Sequence, residues 1–290
     1  MTIEEARIIM SEFDDTDGRL TEEEFFMFTE AAQFLIRETD DADMMYRLGC
    51  AYESRKQYDL AYKYFEMAAE RDHIEAYESL GYIWYYGRVG KTDYEKAFYY
   101  FSKAACIPNA QLKLADMYLR GYYVEKDIAK ATEILERLYE TEYGYENWVD
   151  TGICTRLAEI REKEGNISEA ISLLKKAKQT MAVHISYNSF FGCFSVMCNL
   201  IRNLYRLIPL DKSNIDFFDL YELLRKPAQV VMTYHEKKYM IEATEEADGS
   251  VAVCFDGKWY RSIEDMIPQA EVDCVAVTAL PQKLFKFEVV

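Results

Sequence analysis

Basic residues are what this chain most lacks. Its 34 lysines and arginines face 51 aspartates and glutamates, a formal net charge of −17 at pH 7. A nucleic-acid partner needs a basic face that displaces counterions from phosphates, and no segment offers one. The acid is concentrated at the start, where residues 1–45 hold 14 acids against 3 bases. Binding to nucleic acid or to an anionic membrane surface is therefore not expected. Long apolar runs are also missing, since no stretch approaches the roughly 18 consecutive apolar residues of a membrane span. Met1 is followed by Thr-Ile-Glu-Glu, without a basic start or an apolar run, so no signal peptide is expected. The seven cysteines are scattered with no CxxC pair, which fits reduced thiols serving as small core residues in the cytoplasm.

Catalytic motifs are equally scarce. The three histidines, His73, His184 and His235, stand in different segments, and none has a partner at metal-ligand spacing. GxSxG, P-loop and GxGxxG motifs are absent. Cys193 and His184 are a nucleophile and a base that would need the fold to bring them together. The expectation is a protein without cofactor or metal that is not an enzyme. An enzymatic site in the C-terminal part or at its junction, and a role in self-assembly, are the alternatives.

What is present is apolar and aromatic content, at 50% and 15% of 290 residues, enough for two domains with real cores. The apolar residues repeat. A leucine followed by a small residue recurs as Leu48-Gly49, Leu80-Gly81, Leu114-Ala115 and Leu157-Ala158. After each comes an alanine (Ala61, Ala97, Ala131, Ala170), then Phe65, Phe101, Leu135 or Leu174 four residues on. Three further lie Ala68, Ala104, Leu138 and Ala177. Steps of four and three place these side chains on one face of a helix. Each unit is thus a pair of amphipathic helices whose small residues allow close crossing. A lone pair cannot bury its face, so neighbouring pairs must stack.

From leucine to alanine the count is 13 residues in the first and fourth units and 17 in the second and third. The extra residues fall between the two helices, where Gly87, Gly90 and Gly121 supply tight or left-handed turns. The 13-residue units resemble tetratricopeptide repeats through Leu48, Gly49, Tyr52, Ala61, Phe65 and Ala68. The 17-residue units resemble Sel1-like repeats. Their pattern is met in the second unit by Ala76, Leu80, Gly81, Tyr85, Gly87, Asp93, Tyr94, Lys96, Ala97, Ala104 and Ala105. The third unit keeps Ala110, Leu114, Tyr118, Gly121, Val124, Asp127, Lys130 and Ala131 but loses the closing Ala-Ala. The fourth has Ile160 where an aromatic is usual. This resemblance implies a mainly α fold, a right-handed superhelix of antiparallel helical hairpins, acting as an interaction scaffold without catalytic residues. Four repeats are expected over 42–180.

At the start, residues 1–41 read as capping helices, with Thr21 and Glu24 forming a capping box. The loop "FDDTDGRLTEEE" mimics a calcium-binding loop, with Asp15, Asp17 and Glu24 near ligand positions, but Phe13 occupies the opening position and has no oxygen to offer. Residues 181–226 read as helices closing the far end, interrupted near Asn188 and Gly192, the last a short capped helix within "SNIDFFDLYELLRK" ending at Pro227. From 227 to 290 the period changes to alternation, giving a small α+β domain. Asp248-Gly249 and Asp256-Gly257 signal hairpin turns, and Ser262 with Asp265 caps a short helix. Adjacent Trp259 and Tyr260 are expected to split between a half-exposed face and the core.

The resemblance implies a protein or peptide partner held on the concave face, lined by the first helix of each unit. Counting from the leucines, that face takes Tyr46, Cys50 and Glu53, then Glu78, Tyr82 and Tyr85. It continues with Asp116 and Arg120, then Thr155 and Glu159. Tyrosines beside acids favour a partner with basic segments.

Overall fold

The computed structural model describes residues 1–13, 20–141, 148–187, 194–213, 215–267, 269–272, 275–276 and 286–290. It divides into two compact units, Met1–Ile134 and Leu135–Val290. The first begins with α1 (Ile3–Ser11) and α2 (Glu22–Thr39), each opened by a reciprocal capping box, Thr2 with Glu5 and Thr21 with Glu24. The box satisfies two backbone N–H groups that the first helical turn would otherwise leave bare. Phe13 is buried edge-on against Phe28, with ring centroids 5.9 Å apart, so it serves the core. Asp15, Asp17 and Gly18 of the calcium-like loop lie outside the described residues.

Three helix pairs follow: α3 (Ala42–Ser54) with α4 (Tyr58–Ala69), α5 (Ile74–Tyr86) with α6 (Tyr94–Lys103), and α7 (Pro108–Arg120) with α8 (Ile128–Glu140), the unit boundary falling inside α8. The small-residue step has a direct cause. A Cβ on Gly49 would lie 2.6 Å from Phe65 ring carbons, and one on Gly81 the same distance from Phe101. Each glycine lets the phenylalanine of the paired helix lie flat on the backbone. Phe65, Phe101, Leu48 and Leu80 are completely enclosed.

The longer inner loops also follow from their sequence. Gly87 and Gly121 end α5 and α7 in the left-handed conformation, at φ 66° and 70°, where a Cβ is disfavoured. The chain then closes back identically in both loops: Asp93 N–H donates to Trp84 O and Asp127 N–H to Tyr118 O, each at 3.0 Å. Both aspartates next turn their carboxylates onto the following helix, accepting from Lys96 N–H at 3.1 Å and Lys130 N–H at 2.9 Å. The recurrent Asp is therefore an N-cap.

In the second unit α9 (Trp148–Lys163) packs on α10 (Ile167–Tyr187) through Ile153, Leu157, Ala158, Ala170, Leu174 and Ala177, all buried. α11 (Phe194–Leu207) and α12 (Asp219–Leu223) follow; Asn188 and Gly192, expected to interrupt this region, lie outside the described residues. α12 opens at Asp219, and Phe218, the residue before it, offers no side-chain cap. Asp216 instead takes the N–H groups of Phe218 and Asp219 at 2.9 and 3.1 Å. Asp219 is left to face Lys178 of α10, 2.5 Å away, and it also accepts from the Tyr205 hydroxyl of α11. Lys178 lies 2.9 Å from Asp216 as well, so one ammonium ties α10 to α12.

The chain ends in β-structure. β1 (Ala228–Tyr234), β2 (Lys237–Glu245), β3 (Val251–Phe255) and β4 (Lys258–Tyr260) run antiparallel by simple hairpins; α13 (Ile263–Met266) and the small pair β5 (Glu271–Val272) and β6 (Val275–Ala276) intervene before β7 (Lys286–Val289). β7 returns to pair with β1, giving the order β4-β3-β2-β1-β7. Two hairpins use two-residue turns with both central residues at positive φ, His235-Glu236 and Asp256-Gly257, the geometry that suits twisted strands. Val230, Met232, Tyr239, Ile241, Val253, Phe255 and Tyr260 line the buried face. Trp259 is 55% exposed and Tyr260 6%, the alternation a strand imposes.

Candidate functional site

The first helices of the pairs in the first unit carry eight of the ten residues expected on the face; Thr155 and the exposed Glu159 stand on α9, in the second unit. On α3, Tyr46 and Glu53 are seven residues apart and half-buried, with Cys50 between them. Tyr46 stacks on His73, the residue before α5, with centroids 4.6 Å apart and planes within 22°. Burial raises the Tyr46 hydroxyl well above its usual range, and its hydrogen bond to Cys50 adds to the shift. Burial likewise pushes the Cys50 thiol up to about 11, so it is a poor nucleophile at neutral pH.

Around this Tyr46–His73 platform stand three acids. His73 Nε2 is 3.8 Å from Asp43 and its Nδ1 is 3.4 Å from Glu75. Glu78, one helical turn along α5, is half-buried, and burial, reinforced by Glu75, lifts its carboxyl above the ordinary 4.5. Among the described residues, no lysine or arginine pairs with any of these three.

The other expected acids differ. Glu53 is bound by Arg88 of the α5–α6 loop, whose guanidinium also lies 5.3 Å from the Tyr58 ring centroid and 5.5 Å from that of Tyr86. Asp116 is only 4% exposed, which corrects its expected place on an open face. It sits one turn after Lys113, which approaches it at 3.8 Å. Lys113 in turn reaches from α7 to three rings of α5, its Nζ lying 5.7, 5.1 and 5.4 Å from the centroids of Tyr82, Tyr85 and Tyr86. It also donates to the Tyr86 hydroxyl at 3.1 Å. Tyr85 is pushed up to about 12 by burial and by the nearby Asp116 charge. Arg120, exposed at the end of α7, bonds Tyr122, whose ring stacks on Tyr94 at 4.2 Å. On α9, Thr155 spends its hydroxyl on the Thr151 carbonyl at 2.6 Å.

Lys113, Arg88 and His73 are the members that sequence reasoning missed. Lys113 had a faint signal, standing three residues before Asp116 on the same face. Arg88 had none, because a loop and not a helix turn aims it at Glu53. Beside this face, a cavity of about 290 Å³ opens between α2 and α3, lined by Phe13, Phe25, Phe28, Tyr46, Cys50 and Arg55 among others. Among the described residues no three His, Cys, Asp or Glu side chains gather as a metal site, and no helix is long and apolar enough to cross a membrane. Cys106 is exposed, against the expectation that the cysteines fill the core, and Cys193 lies outside the described residues. On this face Lys113 and Arg88 lie against tyrosine rings.

The Sel1 repeat family model matches residues 42–73, 74–106 and 108–140. These are Sel1 repeats. The match includes the 42–73 pair, whose short inner turn had resembled a tetratricopeptide repeat, so loop length alone does not separate the two kinds. Among solved structures, a Sel1 repeat protein from Oxalobacter formigenes is 21% identical, with 64% of this chain and 76% of that one covered, at a TM-score of 0.50. A protective antigen of uropathogenic Escherichia coli with an SLR fold is 16% identical, covering 71% of this chain and 49% of that one, at 0.45. The pilF protein of Pseudomonas aeruginosa is 16% identical, covering 72% and 95%, at 0.46. No curated protein matches the chain. Sel1 repeats generally mediate protein–protein interaction, and the fold is typically a non-enzymatic scaffold.

Proposed function

We propose that this chain is a cytoplasmic, non-catalytic scaffold that binds a peptide segment bearing basic side chains on the face formed by α3, α5 and α7. The observation that carries this reading is the Tyr46–His73 platform with Asp43, Glu75 and Glu78 around it, none neutralised by a lysine or arginine among the described residues. Stacked rings offer contact area at low entropic cost, and carboxylates that no described lysine or arginine faces favour a cationic partner. Glu53 and Asp116 contribute less than their formal charge, because Arg88 and Lys113 stand against them.

The test is titration with fluorescein-labelled hexalysine at low and high salt, with hexaglutamate as the opposite-charge control. Hexalysine binding that weakens with salt, and weakens about three- to tenfold in Glu78→Gln and Tyr46→Ala, is expected. Binding that ignores salt and both substitutions would move the site off this face.

A further inference from the structure

Lys113 is the most unusual cation on this face. Its ammonium sits within about 6 Å of three ring centroids, the range in which an aromatic face attracts a cation, with a carboxylate behind it. The rings form a corner: Tyr82 and Tyr86 are parallel to within 3°, and Tyr85 meets Tyr86 at 80°. The side chain of Lys113 is 14% exposed, while Tyr86 at the corner's outer wall is 52% exposed. A cation cage is therefore complete, open on one side, and already occupied by a residue of the same chain.

We propose that Lys113 is an internal ligand that must leave this cage for a lysine or arginine of the partner to enter it. The inference rests on the binding face proposed above and adds its regulation: the second cation position is self-occupied, so affinity is held down until Lys113 swings out. Lys113 is the lid, and Tyr82, Tyr85 and Tyr86 are what a partner's cation would meet. Its long, unbranched stem lets the ammonium move without moving α7.

The experiment compares hexalysine binding by the full chain and by Lys113→Met, with Lys91→Met as an exposed control carrying the same change of charge. About tenfold tighter binding by Lys113→Met, and less than twofold by Lys91→Met, is expected. A second readout leaves the lysine in place. In the unsubstituted protein the three rings shield the Lys113 ε-methylene protons upfield, and hexalysine should return them to the position of solvated lysine. Unchanged affinity in Lys113→Met, or an unmoved ε-methylene signal at saturation, overturns the lid. If Glu78→Gln still weakens hexalysine binding in that case, the face stands and only the lid falls. If no variant responds, both fall. Hexaglutamate that binds the unsubstituted protein and is lost with Lys113→Met would overturn the lid by making Lys113 a contact for an anionic partner.

Discussion

In the Sel1 repeats, exposed cations rest on aromatic rings: Lys96 lies 3.8 Å from the centre of Trp84 and Lys130 4.5 Å from that of Tyr118. In helices α10 to α12, by contrast, Lys178 is 15% exposed and faces Asp216 and an almost fully buried Asp219. Rings hold a cation without requiring it to give up its water, whereas buried carboxylates require full pairing. A repeat surface that must stay adaptable uses the first arrangement. A segment that must fix α10 against α12 uses the second.

That contrast predicts unequal consequences. Lys178→Met leaves Asp219 buried without its counter-ion, and urea unfolding of the full chain should show a loss of about 3–5 kcal/mol. A loss below about 1 kcal/mol would erase the distinction between the two regions. Gly81→Leu should follow, at roughly 1–3 kcal/mol or more, because any Cβ meets the Phe101 ring at 2.6 Å. Unchanged urea stability there would mean that the helices of the pair are free to separate. Lys96→Met, which removes a cation from Trp84, should cost only about 0.5–1 kcal/mol in the same assay.

The smallest effect expected is in pH. The Glu78 carboxyl is raised above the ordinary 4.5 by burial first and by Glu75 second, so it gains its proton sooner than a solvated glutamate as pH falls. Asp43, Glu75, His73 and Tyr46 share that site. Hexalysine affinity should therefore drop several-fold as pH falls through a midpoint above 4.5, and Glu78→Gln should flatten that part of the profile. An identical profile in both proteins would remove Glu78 from the binding surface.

The helix pairs were legible because their cause is local. Small residues at fixed offsets from a leucine have few uses other than close helix contact, and the enclosed Phe65 and Phe101 over Gly49 and Gly81 are that contact. Two-residue turns were readable at Asp256-Gly257 for the same reason. The site was legible only in outline. Tyr46, Tyr82 and Tyr85 could be assigned to one face from spacing, but the Glu53–Arg88 pair spans 35 positions and depends on where a loop returns. Asp116 looked exposed because helical spacing gives its direction and not the reach of Lys113 across to α5. The pairing of β7 with β1 was hidden likewise, since a strand's own alternation does not reveal which edge it joins.

The stacked tyrosines of the first unit have an optical consequence. Tyr52 and Tyr64 lie parallel within 8° at 5.6 Å, Tyr82 and Tyr86 within 3° at 6.1 Å, and Tyr94 and Tyr122 within 10° at 4.2 Å. At such separations the phenol transition dipoles couple, and held in a chiral frame they give circular dichroism in the near ultraviolet that isolated tyrosines lack. Tyr52 and Tyr64 join the two helices of one pair, whereas Tyr94 and Tyr122 join one pair to the next. The chain thus contains two chromophore couples that register different kinds of separation, within a repeat and between repeats, without any label being attached.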